Sequence, residues 1–551
     1  MSDFLEQARE FAARRIERRN FLKGAFGIGA LAALESSKIA RALVGASAGL
    51  PDPKNSGIDT IVLTMMENRS LDHYLGWMGT AIDGVQEGFI QPTKLQVPGC
   101  PGGPATNPTV YPVADATTVT TYRMPTHCLG SDPDHGWNGS REEFNGGAMN
   151  GFMSRSGADA MGYYKADDIP FLAWLATNYT TFSRYFSSVL GPTFPNRRYW
   201  VSGNGGQRDP NRAGDTKGND IPTPTFENPQ PTGHPWPTIF HQLDAAGIPW
   251  TYYHSDLATV MLFFNRVTAN PGKVRFIADY FVDAAAGLLT PVVFVDPSFY
   301  VWGNDDHPAH DVMWGQRYLS DTFLALAQGP QWWNPATKTG AAYIVTWDEP
   351  GGFFDHVPPP RVYDPDASVD HCEDWGRLGF RVPTVVASPF TRQGPGGGGM
   401  VAQNLFDHTS MLKFLQWRFE LGSLSTFTDG VLNLGSRDLA PEIHNLNEVF
   451  DFDPANAHPE FASEPPEIPL HALQGLGCAA SPVPEGNGGE NPLEGSPDVN
   501  LPPLALPRRP ELATINGKYA GPHAEWVELA DAGFFGKFDF RERAKDGVFR
   551  D

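Results

Sequence analysis

The chain has 551 residues, 41% of them hydrophobic and 12% aromatic, a composition that sustains a large packed core and excludes general disorder. With 41 Lys and Arg against 63 Asp and Glu, the net charge of −22 repels nucleic-acid phosphates, so no nucleic-acid partner is expected, and it offers anionic bilayers no general attraction. No run reaches the roughly 20 apolar residues of a membrane-spanning helix, so no transmembrane segment is expected.

In chain order, the sequence opens on a basic stretch (Arg14, Arg15, Arg18, Arg19), followed by Asn20-Phe21-Leu22-Lys23 and a short apolar run over 24–34. The string Arg-Arg-Asn-Phe-Leu-Lys resembles a twin-arginine export signal, and Ala46-Ser47-Ala48 offers a small-residue cleavage site. The alternative is an amphipathic helix opening a cytosolic domain. Such a signal implies the twin-arginine machinery as a partner and a periplasmic or secreted protein that crosses the membrane already folded. Four cysteines (Cys100, Cys128, Cys372, Cys478) are too widely spaced for a Cys-x-x-Cys site and allow up to two disulfides. Cys100 and Cys128 share a loop-rich stretch and form one candidate pair, which the sequence does not decide.

Apolar runs predict buried strands over 58–66, 250–253, 291–295, 341–347 and 383–387, and helical patterns cover 171–177, 238–246, 311–327 and 410–419. Apolar strands alternating with helices predict an α/β fold with a mainly parallel sheet covered on both faces. Residues 91–150, rich in Gly, Pro, Thr and Asn, read as an irregular insertion. The glycine-rich loop 394–399 lacks the strand–loop–helix setting of a nucleotide cradle. Residues 451–510, rich in Pro and acidic side chains, read as an extended arm. The expected organisation is a signal over 1–48, a main domain over 49–450 and a C-terminal arm with a terminal segment over 451–551.

Chemistry concentrates where strands end. The first strand runs directly into Glu67-Asn68-Arg69-Ser70, and the strand over 341–347 runs directly into Asp348-Glu349. Parallel sheets present ligands at the carboxyl ends of their strands. Two acidic clusters at that edge repel one another unless a cation or a proton lies between them, and oxygen ligands suit a hard cation. A third stretch, Gly191-Pro192-Thr193-Phe194-Pro195-Asn196-Arg197, fixes the backbone around one hydroxyl, with a helix expected from near Asn196 and Arg197 placed for an anion. A hydroxyl needs a base or a metal to act as a nucleophile at neutral pH.

Six blocks in order resemble the bacterial phospholipase C/acid phosphatase family, a branch of the alkaline phosphatase superfamily. They are Met66-Glu67-Asn68-Arg69-Ser70-Leu71-Asp72-His73, Asp134-His135-Gly136-Trp137-Asn138, the Thr193 loop, Asp305-Asp306-His307-Pro308, Trp347-Asp348-Glu349-Pro350-Gly351-Gly352-Phe353-Phe354-Asp355-His356-Val357 and Phe406-Asp407-His408-Thr409-Ser410. Together they span 58–419, nearly two thirds of the chain. Leu71 in place of the usual Phe, and Pro350 within the Asp-Glu-Gly-Gly string, depart from the pattern without removing a functional atom.

The resemblance implies an alkaline-phosphatase-like α/β/α sandwich with loop-rich insertions and a divalent metal (Ca, Mg, Mn or Zn) held by Glu67, Asn68, Thr193, Asp348 and Glu349. It implies Thr193 as the nucleophile, with Asn68, His135 and His307 on the phosphoryl group or the leaving oxygen. Arg197 and His254 are expected to face substrate. Asp72 and His73 are expected to cap and orient the following helix, Asp355 and His356 to support the metal loop, and His408 to serve either a helix start or the site. The implied activity is phosphate-ester hydrolysis. Thr at the nucleophile position favours a phospholipase C-type phosphodiesterase over a broad acid phosphatase; a catalytically inactive binding protein on the same scaffold is the reading from another class.

Overall fold

The computed structural model describes residues 50–95, 97, 100, 118–129, 131–206, 236–256, 259, 271–299, 303–394, 398–428, 433 and 435–468. The arginine string, the cleavage site, Cys478 and the end of the C-terminal arm lie outside the described residues. The chain divides into residues 1–53 and 54–551, and the second unit carries the fold.

Among the described residues, nine strands form its main sheet: β1 (Ile58–Met66), β2 (Thr180–Phe182), β3 (Trp250–His254), β4 (Val274–Phe276), β5 (Val292–Asp296), β6 (Trp333–Asn334), β7 (Thr339–Trp347), β8 (Thr384–Ala387) and β9 (Val401–Ala402). The order is β9-β2-β8-β7-β1-β5-β3-β4, with β6 paired to β7. Strands β7, β1, β5, β3 and β4 are mutually parallel, while β8 runs antiparallel to both β7 and β2. The expected mainly parallel sheet is present, and its antiparallel part lies on one side of β7.

Every residue of β1 except Asp59 is buried, so both faces of the sheet are covered. The packing shows by what. Helices α1 (Trp137–Phe144), α2 (Pro170–Asn178), α3 (Thr193–Ser202), α4 (Ile239–Ala245), α5 (Ile277–Ala286), α6 (Val312–Ala327) and α7 (Thr409–Arg418) flank the strands. Trp200 of α3 and Phe240 of α4 pack edge-on or tilted against Phe294 of β5, which is in register with Leu63. Phe323 of α6 packs against Tyr343 of β7, which is in register with Val62. Leu63 and Val62 are neighbours in one strand and point to opposite faces, so the two helical groups lie on opposite sides of an α/β/α sandwich.

The pairing of Cys100 with Cys128 is corrected: Cys100 is bonded to Cys372, 272 positions away, and Cys128 is disulfide-bonded elsewhere. Local loop composition carries no information about such a long-range partner. The helix expected to begin near Asn196 begins at Thr193, because Pro195 occupies a first-turn position where the missing N–H has no intrahelical partner to lose. Residues 451–468 lie back on the sandwich, where Trp174 Nε1 donates to Ser463 O (3.1 Å) and Arg317 to Ile468 O (2.9 Å). Among the described residues, no helix is long and apolar enough to cross a membrane.

Candidate active site

Parallel register places the two acidic clusters side by side. Met66 pairs with Trp347, so Glu67 and Asp348 leave adjacent strands at the same level. The Asn68 N–H and the Glu349 N–H both donate to Asp348 Oδ1 (3.2 and 2.7 Å), which fixes that carboxylate by two backbone donors. Glu349 Oε2 accepts from the Gly351 N–H at 2.7 Å, so Pro350 leaves the loop held on its ligand. Gly351 has a positive φ of 66°, and a Cβ there would come within 2.4 Å of Asn68 O, so this position requires glycine.

Asn68 itself is left-handed (φ 59°), a conformation Asn tolerates better than most side chains. One end of its amide lies 3.2 Å from Glu67 Oε2 and 2.7 Å from Glu349 Oε1, and the other 3.2 Å from His307 Nε2; nitrogen toward the carboxylates would bond them directly, and oxygen toward them would serve a shared cation. Thr193 is the first residue of α3, ten residues that are all buried. Its hydroxyl donates to Glu67 Oε2 at 3.1 Å, beside the positive end of the helix dipole. Asn196 holds the preceding loop closed. Its Oδ1 accepts from Val189 N–H (3.0 Å), while Nδ2 donates to Gly191 O (2.9 Å) and Pro192 O (3.1 Å).

The structure thus brings Glu67, Asn68, Thr193, Asp348, Glu349 and His307 together, with His135 stacked edge-on to His307 at 5.6 Å between ring centroids. Arg197 is 2% exposed and meets carboxylates rather than open space: Nε donates to Glu67 Oε1 at 3.0 Å, Nε lies 3.4 Å from Asp348 Oδ2, and Nη1 lies 3.4 Å from Asp296 Oδ1. His254 ends β3 opposite Asp296, with its ring edge-on to Phe276.

Burial pushes the Asp348 carboxyl well up, and the Glu67 carboxylate beside it adds to the rise against the opposing pull of Arg197. Glu349 is raised by burial and by Asp348. Asp348 Oδ2 has no hydrogen-bond partner although it is fully buried. Crowded buried carboxylates with an unsatisfied oxygen fit a divalent cation. With the Asn68 oxygen turned to the carboxylates, the donor set of Glu67, Asn68, Asp348, Glu349 and the Thr193 hydroxyl consists of oxygens throughout, as a hard ion requires.

The residues around this centre have structural partners. Ser70, rather than Asp72 or His73, caps the helix Leu71–Leu75. Asp72 accepts from the Val85 and His356 N–H groups and from Arg381, and His73 Nδ1 donates to Gly162 O (2.7 Å) with its ring stacked on Phe353. The expected capping role of these two is therefore corrected; both are buried tethers. Asp355 receives Arg381 Nε on both oxygens (3.0 and 3.1 Å). His408 Nε2 donates to Asp348 O at 2.7 Å, tying the start of α7 to the end of β7.

Sequence reasoning passed over three groups. Asp296 is an isolated acid ending an otherwise ordinary strand, and its strand-terminal position was the only available signal. Asp132 stands two residues before a recognised block. Asn196 marks a helix start in the sequence, and in the structure it locks the loop before Thr193.

A family model for the phosphoesterase family matches residues 58–422. Phospholipase C B of Mycobacterium tuberculosis is 32% identical over 415 residues, covering 66% of this chain and 73% of that protein. Phospholipase C A of the same organism is 31% identical over 473 residues, covering 76% and 84%. Non-specific phospholipase C6 of Arabidopsis thaliana is 26% identical over 400 residues, covering 67% and 69%. The chain belongs to the phosphoesterase family and is a hydrolase of phosphoric esters.

Proposed function

We propose that this protein is an exported, metal-dependent phosphodiesterase of the phospholipase C type, with Thr193 as nucleophile. The observation that carries this reading is the Thr193 hydroxyl at a helix N-terminus, donating to Glu67 Oε2 at 3.1 Å within the carboxylate cluster. In the first half-reaction Thr193 Oγ1 bonds to phosphorus as the bond from phosphorus to the leaving alcohol oxygen breaks. The Oγ1 proton passes to Glu67 Oε2, and the leaving alcohol oxygen takes the Nε2 proton of His307. Water then attacks the phosphothreonine and gives a proton to His307 Nε2, the bond from phosphorus to Oγ1 breaks, Oγ1 takes its proton back from Glu67, and Thr193 is restored. Asn68 and the N–H groups opening α3 face the charge on the phosphoryl oxygens. A divalent cation on Glu67, Asn68, Asp348, Glu349 and Thr193 would supply positive charge that makes the hydroxyl more acidic and offsets that of the phosphate. Oxygen donors favour Ca, Mg or Mn, and the imidazoles leave Zn open.

Arg197 has Glu67, Asp348 and Asp296 as partners, which supports a role in holding the acidic pair together rather than in touching substrate. The names of the relatives support a phospholipid diester as substrate. Glu67, Asn68, Thr193, Asp348, Glu349 and His307 lie within reach of one another, which supports an active enzyme over an inactive scaffold. Export is supported by the disulfide between Cys100 and Cys372, since such bonds persist outside the reducing cytoplasm.

Thr193→Ala should abolish turnover of phosphatidylcholine while its circular dichroism stays that of the parent; a near-parental rate would sink the nucleophile assignment. The parent should cleave phosphatidylcholine faster than an aryl phosphate monoester, and the reverse order would identify a phosphomonoesterase instead. Chelation should suppress both activities until the ion is restored.

A further inference from the structure

The main chains of Glu67 and His307 meet at one residue. Asp305 O accepts from the Glu67 N–H at 2.8 Å, and Asp305 Oδ1 accepts from the His307 N–H at 3.0 Å. Asp305 thereby ties the loop that follows β5 to the end of β1. Nucleophile and leaving group lie in line through phosphorus, so the group that takes a proton from one and the group that gives a proton to the other need a fixed spacing. That spacing hangs on Asp305.

Asp305 is itself held from outside. Its side chain is 2% exposed, and a carboxylate that deep needs donors and a cation beside it. His310 supplies both. Its Nδ1 donates to Asp305 Oδ1 at 2.7 Å, and among the described residues it is the ion-pair partner of Asp305. Burial lowers the pKa of the His310 imidazole, Asp305 raises it by more, Asp256 adds to the rise and Arg69 opposes it, and the net shift is upward, toward the charged ring. The ring lies over Gly303, where φ is 56° and a Cβ would come within 2.3 Å of it, so glycine gives the ring its seat. The His310 N–H also donates to His307 O at 2.8 Å, closing the turn between them. The two rings stand 6.4 Å apart between centroids and His307 Nδ1 is given to Pro308 O, so His310 reaches His307 through its main chain and through Asp305 rather than ring to ring.

We propose that His310 is a positioning residue that, by pairing with Asp305, sets the spacing of Glu67 and His307 for proton transfer. The proposal deepens the phosphoryl-transfer reading and rests on it. Without the ring, the Asp305 carboxylate is buried with no cation beside it, and it turns away or takes a proton, which releases the His307 N–H. The consequence depends on the leaving group. An alkyl alcohol leaves with a proton, whereas a nitrophenolate, a weak base, leaves without one, so a displaced His307 costs more on the alkyl ester.

The test compares the full-length, metal-loaded parent with His310→Gly on a dispersed short-chain phosphatidylcholine and on the nitrophenyl ester of phosphocholine. His310→Gly should lower kcat on the lipid by about a hundredfold, the low end of what a positioned acid contributes, with KM little changed, and should lower it much less on the nitrophenyl ester. The ring is 34% exposed and seated on a glycine, so added imidazole should refill its place and restore kcat saturably, while Asp305→Ala, which lacks the acceptor, should gain nothing from it. An equal loss on the two esters, or a loss that imidazole leaves in place, overturns the proposal. Should circular dichroism show that His310→Gly does not fold, His310→Gln, which fills the place without the charge, carries the leaving-group comparison alone, and parental rates or an equal loss on both esters overturn it there. Thr193→Ala turnover reports separately on the nucleophile, so either reading can fail without the other.

Discussion

At the residue scale the site is a problem in buried charge, and His408 shows how the fold handles it. Its Nε2 donates to Asp348 O at 2.7 Å, and its Nδ1 is buried with no hydrogen-bond partner. Burial lowers its pKa from 6.5 to about 4, with the backbone carbonyl only partly opposing the shift. A histidine with a depressed folded-state pKa contributes stability that is fully present above its unfolded value and is lost as pH falls toward the folded one. Acidification from about pH 6.5 to about pH 4 should therefore remove up to about 3 kcal/mol of unfolding free energy through this group alone. In urea melts the stability gap between the parent and His408→Gln should shrink over that window. A gap independent of pH would show that His408 is not held neutral by the fold.

At the element scale, the strands and helices that build the site were legible in the sequence, and the contacts that lock it were not. β1 is the apolar run that the sequence marks, and β7 extends its run by two residues; their ends deliver Glu67 and Asp348 because a parallel sheet aligns carboxyl ends. Periodicity does not show that β8 reverses direction, that Asp296 reaches Arg197, or that Cys100 finds Cys372. Those depend on which distant segments meet. Asn196 illustrates the difference, since its amide closes the turn from Val189 to Pro192 and so sets where Thr193 begins α3. Asn196→Ala should leave KM little changed and lower kcat by about a hundredfold, the effect of roughly 1 Å of misplacement at a reacting atom. A steady-state comparison of the two constants checks this; a loss confined to KM would mean that the turn governs substrate entry instead.

At the scale of the whole molecule, charge and compartment act together. A net charge of −22 repels a dianionic aryl phosphate but has little grip on a zwitterionic phosphocholine diester. Raising ionic strength from about 0.01 M to about 0.15 M, which shortens the Debye length from ~30 to ~8 Å, should raise kcat/KM several-fold for the aryl phosphate and leave a dispersed short-chain phosphocholine diester unchanged. The disulfide connects compartment to site by a chain of contacts. Cys372 O accepts from Trp137 Nε1 (2.9 Å), and His371 O accepts from Arg141 Nε (2.9 Å), so the bond braces α1. The Trp137 ring in turn packs on Gly191, two residues before Thr193, where an added Cβ would lie 3.1 Å from the ring. Replacing Arg18 and Arg19 with Lys should hold the protein in the cytoplasm if the proposed export signal operates. The retained protein should then carry alkylatable Cys372 and unfold with about 2–5 kcal/mol less free energy than the exported form, the usual cost of losing a native disulfide. Fractionation with thiol alkylation reads both effects together. Unimpaired secretion of the double variant would assign export to another route, and a retained, reduced protein of undiminished stability would show that the bond braces neither α1 nor the turn before Thr193.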